Sequence, residues 1–147
     1  THSHLVLSLC TGPGAGAHQP HYKPPVSKAR ARVPYRRFTV VGDAGYDSEA
    51  LHHWTRRKMG LRSIIPPNSG RPRPAGVRPG GRWRGRMSKL LATQASRRRC
   101  GYTQRWQVET TISMKKRNLG SALAGKTAWS RRSDMMLKVL THNLMIL

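Results

Sequence analysis

The alternation of apolar and polar positions predicts a helix between two strands in the first half of the chain. Residues 37–42 form a β-branched apolar run that is typical of a buried strand. A helix is predicted next, with Asp47 or Ser48 as its cap and Gly60 as its stop. Residues 61–65 form a second apolar run. Because strand, helix and strand follow in this order, the two strands are predicted to be parallel.

Other patterns predict the elements that come before and after these two strands and their helix. Residues 4–10 are apolar and β-compatible, and they predict another strand. Residues 11–34 are rich in Pro, Gly, His and Lys, which predicts a loop with room for one short helix. A further short helix is predicted from Met87 to about Ala95, and it would end near the arginine run 97–99. These elements together predict an α/β fold.

Two apolar stripes near the C-terminus predict helix faces that pack inward. The first lies on a helix predicted to run from residue 102 to near residue 120, and consists of Val108, Ile112 and Leu119. The second recurs at steps of three and four, and consists of Leu137, Leu140, Leu144 and Leu147. Ser130 or Ser133 is predicted to cap this last helix. His142 lies beside the leucines, where helix packing is a better interpretation than catalysis.

Charge then limits what the chain can bind. The sequence has 28 Lys and Arg against 5 Asp and Glu, a formal net charge of +23. Such an excess points to a polyanionic partner, and nucleic acid is favoured over an anionic membrane surface because no long basic amphipathic helix is present. No run of 18 apolar residues predicts a membrane-spanning helix. The two cysteines have no metal or redox spacing and fit a reducing, cytoplasmic setting.

A basic segment at about 67–86 has no hydrophobic period and predicts a surface loop rich in Pro, Gly and Arg. Its arginines, Arg84 among them, could embrace a phosphate backbone, although a solvated linker has the same composition. Trp83 stands between Arg82 and Arg84. An aromatic residue among cations suits stacking on a base, and it equally suits the cover of a small apolar cluster.

Four polar residues share one stripe of the helix predicted after residue 101. Tyr102, Arg105, Glu109 and Lys116 are separated by steps of three, four and seven. At ~100° per residue these steps keep them within about 60° of one another. One interpretation is an amphipathic helix with an Arg105–Glu109 pair one turn apart. The other is a metal-binding acid at the edge of the core, with cations that hold phosphates on either side.

Asp43 directly follows the first predicted strand of the βαβ unit. Ligands of open α/β sheets bind at the carboxyl ends of the strands, so a functional role is expected there. A turn aspartate that accepts from local backbone amides is an equally good interpretation. Asp47, Glu49 and Asp134 are interpreted as helix-start residues. Two carboxylates in a basic cleft are typical of sites that hold two Mg²⁺ ions ~4 Å apart for phosphodiester chemistry.

These residues resemble the DDE transposases of bacterial insertion sequences. Tyr102, Arg105, Glu109 and Lys116 match the Tyr-Arg-Glu-Lys signature of one branch at its full spacing. Surrounding blocks are also similar to that family and occur in family order: residues 41–48, 64–67, 84–87, 113–120 and 140–143. The similarity runs nearly end to end and is weakest over residues 11–34 and 68–82.

The resemblance implies a ribonuclease H-like fold, a mixed sheet flanked by helices. It implies that Asp43 and Glu109 bind Mg²⁺ or Mn²⁺ as catalytic residues. Tyr102, Arg105 and Lys116 would hold phosphates of the transposon's terminal inverted repeats. The composition of the basic segment adds Arg84 and Trp83 as predicted DNA contacts. It further implies DNA cleavage and strand transfer in the bacterial cytoplasm at the nucleoid, with a homodimer in the synaptic complex.

The family's triad also needs a first Asp, immediately upstream of a segment that resembles residues 1–7. The expectation is therefore a partial DDE domain over residues 1–147, N-terminally truncated and inactive alone. The alternative from another class is a non-enzymatic basic protein that binds nucleic acid through its charge. A nuclease of the same fold is a third hypothesis.

Overall fold

The computed structural model describes residues 4–12, 19–68 and 80–147. Contacts divide them into two compact units. Residues 12–103 form the central unit, and residues 4–11 with 104–147 form the terminal unit. Each unit is taken by itself below, and the prediction that residues 1–147 belong to one catalytic domain stays a prediction.

The sheet of the central unit consists, among the described residues, of two parallel strands. Strand β1 is Thr39–Val41 and strand β2 is Arg62–Ile64. Val40 lies opposite Ser63 in the register. Beyond β1 the backbone amide of Gly42 donates to the carbonyl of Ile64 at 3.0 Å, which continues the pairing by one residue. The predicted parallel βαβ unit is confirmed.

The connection between the strands is helical, as predicted. A 3₁₀ turn at Ala44–Tyr46 follows β1, and helix α2 at Glu49–His53 has Ser48 as its N-cap. The helix continues as a π-helical turn, Trp54–Lys58. Gly60 follows with φ +65°, a left-handed conformation that glycine adopts without a steric penalty. This is the stop that the sequence predicts.

The core of the central unit lies on both sides of this unit's strands. Helix α1, Lys23–Arg32, contributes to one side and is the short helix allowed for within residues 11–34. A 3₁₀ turn, Gln19–His21, precedes it, and residues 13–18 lie outside the described ranges. One buried cluster consists of Tyr22, Val26, Leu51, Leu61 and Ile65. The other consists of Ile64, Met87 and Leu91.

Two predictions for residues 80–101 are wrong at their boundaries. Helix α3 is Arg82–Leu90, so the predicted loop ends before residue 82 and not at 86. Residues 69–79 of that loop lie outside the described ranges. Helix α4 is Gln94–Cys100, so the arginines at 97–99 continue a helix where they were predicted to end one. Thr93 caps α4 by accepting from the amide of Ser96 at 3.2 Å, a local signal that the charge run obscured.

The terminal unit contains two helices that contact each other. A 3₁₀ turn, Tyr102–Arg105, whose first two residues belong to the central unit, leads into helix α5, Trp106–Leu119. Helix α6 is Ala128–Met145. Its N-cap is Thr127 and not Ser130 or Ser133, because Thr127 and Ser130 exchange side-chain and backbone hydrogen bonds in a capping box. No described helix is long and apolar enough to cross a membrane.

The predicted strand at residues 4–10 is not formed. This segment has no ladder pairing, and its backbone bonds to side chains of α6. Val6 donates to Asn143 Oδ1 at 2.9 Å and accepts from Asn143 Nδ2 at 3.0 Å. The carbonyl of His4 lies 3.1 Å from Nε2 of the buried His142. The packing role predicted for His142 is therefore confirmed.

Both apolar stripes face solvent, contrary to the prediction. On α5, Val108 and Ile112 are exposed and only Leu119 is partly covered. On α6, Leu140 is 56% exposed, and the other stripe residues are exposed as well: Leu137, Leu144 and Leu147. The period of these residues places them on one helix face, but period alone does not determine what lies against that face.

Candidate functional site

Asp43 lies at the carboxyl end of β1, where the sequence predicted it. Its side chain caps the 3₁₀ turn at Ala44–Tyr46, and Oδ1 accepts from the amide of Ala44 at 2.8 Å. The residue is exposed, and Oδ2 has no hydrogen-bond partner among the described residues. The turn interpretation is therefore satisfied at one oxygen, while the other stays open to a ligand.

Glu109 lies in the first turn of α5 and points into solvent. Its side chain is 63% exposed. Oε1 pairs with Arg105 Nη2 at 3.1 Å, one helical turn away. This is the ion pair that the plainer interpretation of the stripe predicted, and an exposed pair of this kind contributes only ~0.3–0.5 kcal/mol. A stronger ligand could displace Arg105 from Glu109 at little cost.

The four-residue stripe does not form on a single helix. Tyr102 lies in the 3₁₀ turn that precedes α5, and it packs, partly buried, on the cluster of Ile64 and Met87 in the central unit. Arg105 is the N-cap residue of α5, and Lys116 is exposed in the last turn. The prediction of one helix from residue 102 is wrong for its first four residues.

Asp43 belongs to the central unit and Glu109 to the terminal unit. Their predicted convergence on a shared metal stays a prediction. Within the described ranges, which contain all five acids, no three His, Cys, Asp or Glu side chains form a metal-binding group.

Arg84 lies in a helix, and not in the predicted loop, and it is fixed by a buried carboxylate. It lies on α3 and forms two parallel bonds to Asp47: Nε to Oδ1 at 2.8 Å and Nη2 to Oδ2 at 2.6 Å. The Asp47 side chain is 1% exposed and also accepts from the amide of Asn68 at 2.9 Å. Burial alone would raise the pKa of Asp47, but the hydrogen bonds from Arg84 and Asn68 lower it overall.

Glu49 holds the start of α3, a role that the sequence did not reveal. Its carboxylate accepts from the amide of Trp83 at 3.0 and 3.1 Å and from the amide of Arg84 at 3.0 Å. Unpaired amides at a helix start attract a carboxylate. Glu49 was interpreted as a helix-start residue of α2, which it also is. No local signal links it to residues 34 positions away.

Trp83 is surrounded by guanidinium groups. The Cζ atoms of Arg56, Arg82 and Arg86 lie 4.4, 5.1 and 6.0 Å from its ring centroid. Arg56 comes from the π-helical turn after α2, so the contact joins two elements of the central unit. Sequence reasoning missed Arg56, because nothing along the chain links it to Trp83.

His52 is fully buried beside this group. Its Nδ1 lies 2.8 Å from Ser63 Oγ, while Nε2 has no hydrogen-bond partner among the described residues. Burial lowers the pKa of His52, and the charge of Arg56 lowers it further against the opposing effect of Asp47 and Glu49. The ring is therefore neutral at neutral pH, and its role is structural packing under β2.

The five carboxylates divide into two groups by exposure. Three are partly or fully covered and hold structure: Asp47 binds Arg84, Glu49 caps α3, and Asp134 accepts from the amide of Ala124 at 2.9 Å. Asp134 thus holds the loop before α6 rather than starting that helix, which corrects its interpretation. The two exposed carboxylates are Asp43 and Glu109.

Comparison with known proteins supplies the family. A family model described as a transposase DDE domain matches residues 1–144. No curated protein and no solved structure matches the chain. The family match covers almost the whole sequence and agrees with the resemblance carried by its motifs. The chain therefore belongs to the transposase DDE domain family, and its role is in DNA transposition.

Proposed function

We propose that this chain binds transposon-end DNA and supplies two ligands of a Mg²⁺-dependent site for DNA cleavage and strand transfer. The family match over residues 1–144 supports the chemistry, and the net charge of +23 supports the partner. The finer assignment is to the Tyr-Arg-Glu-Lys branch with a ribonuclease H-like fold.

One observation carries the assignment of the catalytic residues. Asp43 and Glu109 are the two carboxylates that the family resemblance implies, Glu109 through the signature and Asp43 through the block at residues 41–48, and they are also the two that lie exposed. The other three are engaged in contacts that hold the fold. Exposure and resemblance are independent criteria, and both favour the same pair.

These residues fit the divalent metal that DDE transposases typically use. Carboxylate oxygens are the hard ligands that Mg²⁺ and Mn²⁺ prefer, and Mg²⁺ needs few of them because it keeps several waters. Oδ2 of Asp43 has no partner among the described residues, and Glu109 is held only by the exposed Arg105. When bound, the metal would activate a water or a 3′-hydroxyl and stabilise the leaving oxygen.

The proposed DNA contacts come from cations and a tyrosine at or beside the motifs that resemble the family. Arg105 can exchange its bond to Glu109 for a phosphate oxygen once a metal occupies the carboxylate. Lys116 is exposed and could take the same role. Tyr102 would contribute its hydroxyl. Arg84 keeps Nη1 available beyond its two bonds to Asp47.

The family pattern requires a third acid, and the sequence offers none beyond those already accounted for. We propose that this acid is supplied from outside residues 1–147, so the chain alone would not cleave DNA. Terminal inverted repeats are the proposed substrate, a homodimer the proposed synaptic assembly, and the nucleoid the proposed location.

The test uses the chain joined to its upstream coding segment and a supercoiled plasmid with the element's ends. Mg²⁺-dependent nicking is expected, and Glu109→Gln and Asp43→Asn should abolish it without loss of DNA binding. Asp134→Asn is the matched control, since it removes the same charge from an acid that holds a loop. Nicking that survives Glu109→Gln would refute the assignment.

The charge of +23 also supports a second candidate, a basic protein that binds nucleic acid without catalysis. It predicts salt-sensitive binding that is independent of metal and unaffected by Asp43→Asn. A nuclease of the same fold would cleave random duplex as readily as inverted-repeat DNA.

A further inference from the structure

The arginines around Trp83 form a cationic cluster whose members make no ion pair among the described residues. The cluster is defined as Arg56, Arg82 and Arg86 about the indole ring, with Arg62 on the neighbouring strand β2. None of these four pairs with a carboxylate among the described residues, and every acid of the sequence is described.

The nearby acids, Asp47 and Glu49, bind other groups than the cluster arginines. Asp47 accepts from Arg84 and from the amide of Asn68, and Glu49 accepts from the first amides of α3. Neither can rotate to neutralise the cluster without releasing a bond that holds α3.

Arg56 shows that the positive charges act on one another. It is fixed by two bonds to Ser63, from Nη2 to the backbone carbonyl at 2.7 Å and from Nε to Oγ at 3.1 Å. Burial lowers the pKa of Arg56, and the charges of Arg86 and Arg62 lower it further. Anchored like charges that repel one another favour a bound anion, which would relieve the repulsion.

A cavity continues the cluster on the other side of Arg62. Its volume is about 260 Å³, and its lining offers two guanidinium groups and a hydroxyl as donors: Arg62, Leu90, Ser96, Arg99 and Cys100 line it. Guanidinium groups present paired donors that match phosphate oxygens. The cations thus extend from α3 across β2 to α4.

We propose that Arg56, Arg62, Arg82 and Arg86 bind successive phosphates of a nucleic-acid backbone. Trp83 is a positioning residue in this site, because its ring carries the guanidinium groups rather than a base. Cations spread over three elements suit an extended polyanion better than a single phosphate. The inference rests on the proposed DNA binding, and it adds residues that the family signature does not contain.

The test measures the affinity of the full chain for a random-sequence duplex at several salt concentrations. The double variant Arg62→Gln with Arg86→Gln removes two exposed arginines of the cluster, neither of which forms a side-chain hydrogen bond or ion pair among the described residues. Each phosphate contact contributes ~0.9 to the slope of log affinity against log salt, so the slope should fall by about 1.8. The matched control, Arg37→Gln with Arg132→Gln, removes two exposed arginines outside the cluster and should leave the slope unchanged.

Trp83→Ala tests whether the ring positions the arginines or stacks on a base. If the ring positions the arginines, affinity should fall by a similar factor for duplex and single-stranded DNA. A loss confined to single-stranded DNA would mean that the ring stacks on a base, and it would overturn the assignment of Trp83 as a positioning residue.

The outcomes separate this inference from the proposed function. Equal slopes in the cluster variant and the wild type would overturn the phosphate site while DNA binding stands. An equal loss in the matched control would also overturn it, since net charge would then explain both. A wild-type chain that binds no DNA would refute the proposed function itself.

Discussion

Substituting Asp47 by Asn should destabilise the central unit more than any other conservative change of an acid in this chain. The Asp47 side chain is 1% exposed and accepts three hydrogen bonds, two of them from Arg84. Asparagine keeps the shape but loses the charge, and its amide group would face the guanidinium as a second donor.

The size of the effect follows from these contacts. A hydrogen bond to a charged group contributes ~1.5–3 kcal/mol, and breaking a buried ion pair from one side costs ~3–5 kcal/mol. The Arg84 side chain is 21% exposed, so water can partly solvate it after the substitution. We therefore expect a loss of about 2–3 kcal/mol in the free energy of unfolding.

The pH dependence has a definite sign. The folded-state pKa of Asp47 is lowered from 3.8, because the bonds from Arg84 and Asn68 outweigh the effect of burial. Its contribution to stability is therefore complete above pH 3.8 and is lost as the pH falls through the lower folded value. The Asn variant should lack this loss.

A double-mutant cycle with Arg84→Gln isolates the pair. Urea unfolding should be followed by hydrogen exchange of the α3 amides, since two compact units need not unfold together. Asp134→Asn is the control in the terminal unit. A coupling energy below about 0.5 kcal/mol between Asp47 and Arg84 would contradict the argument.

Three further predictions concern two glycines at the start and in the interior of α3 and one buried histidine. Gly81 has φ +97° and a Cβ added there would collide with the Glu49 carboxylate, so Gly81→Ala should cost about 2 kcal/mol. Gly85 lies inside α3 with nothing near its missing Cβ, so Gly85→Ala should stabilise by ~0.5–1 kcal/mol in the same unfolding assay. Because the folded pKa of His52 is lowered, stability should decline as the pH falls below 6.5 through the folded value, and His52→Phe should abolish that decline in pH-dependent thermal melts.

Local patterns predicted the elements whose causes are local. The β-branched run gave β1, the order of elements gave the parallel pairing, and Gly60 ended the helical connection with a positive φ. Asp43 lies where it was predicted because it directly follows β1 in the sequence, although β1 is only partly buried and not fully buried as its composition predicted. Each of these depends on neighbours within a few residues.

Predictions failed where a distant partner decides the outcome. Leu140 belongs to an apolar stripe with the period of a buried helix face, and yet it is exposed. Periodicity identifies which residues share a helix face, but it does not determine whether another element packs on that face. Residues 4–10 have the composition of a strand, but Asn143 rather than a neighbouring strand satisfies the backbone of Val6. Glu49 and Trp83 meet across 34 positions, and the sequence contains no sign of that meeting.

Because acids are scarce, several arginine side chains donate hydrogen bonds to neutral backbone carbonyls instead of to carboxylates. Arg97 donates to the carbonyl of Leu91 at 2.8 Å, and Arg131 donates to that of Lys126 at 2.9 Å. A carbonyl satisfies the hydrogen bond without cancelling the charge, so the +23 persists in the folded state. Salt should then raise the thermal midpoint by screening repulsion, while it should weaken the proposed DNA binding through counterion release. A midpoint that falls with salt would mean that ion pairs, and not repulsion, dominate the electrostatics of this fold.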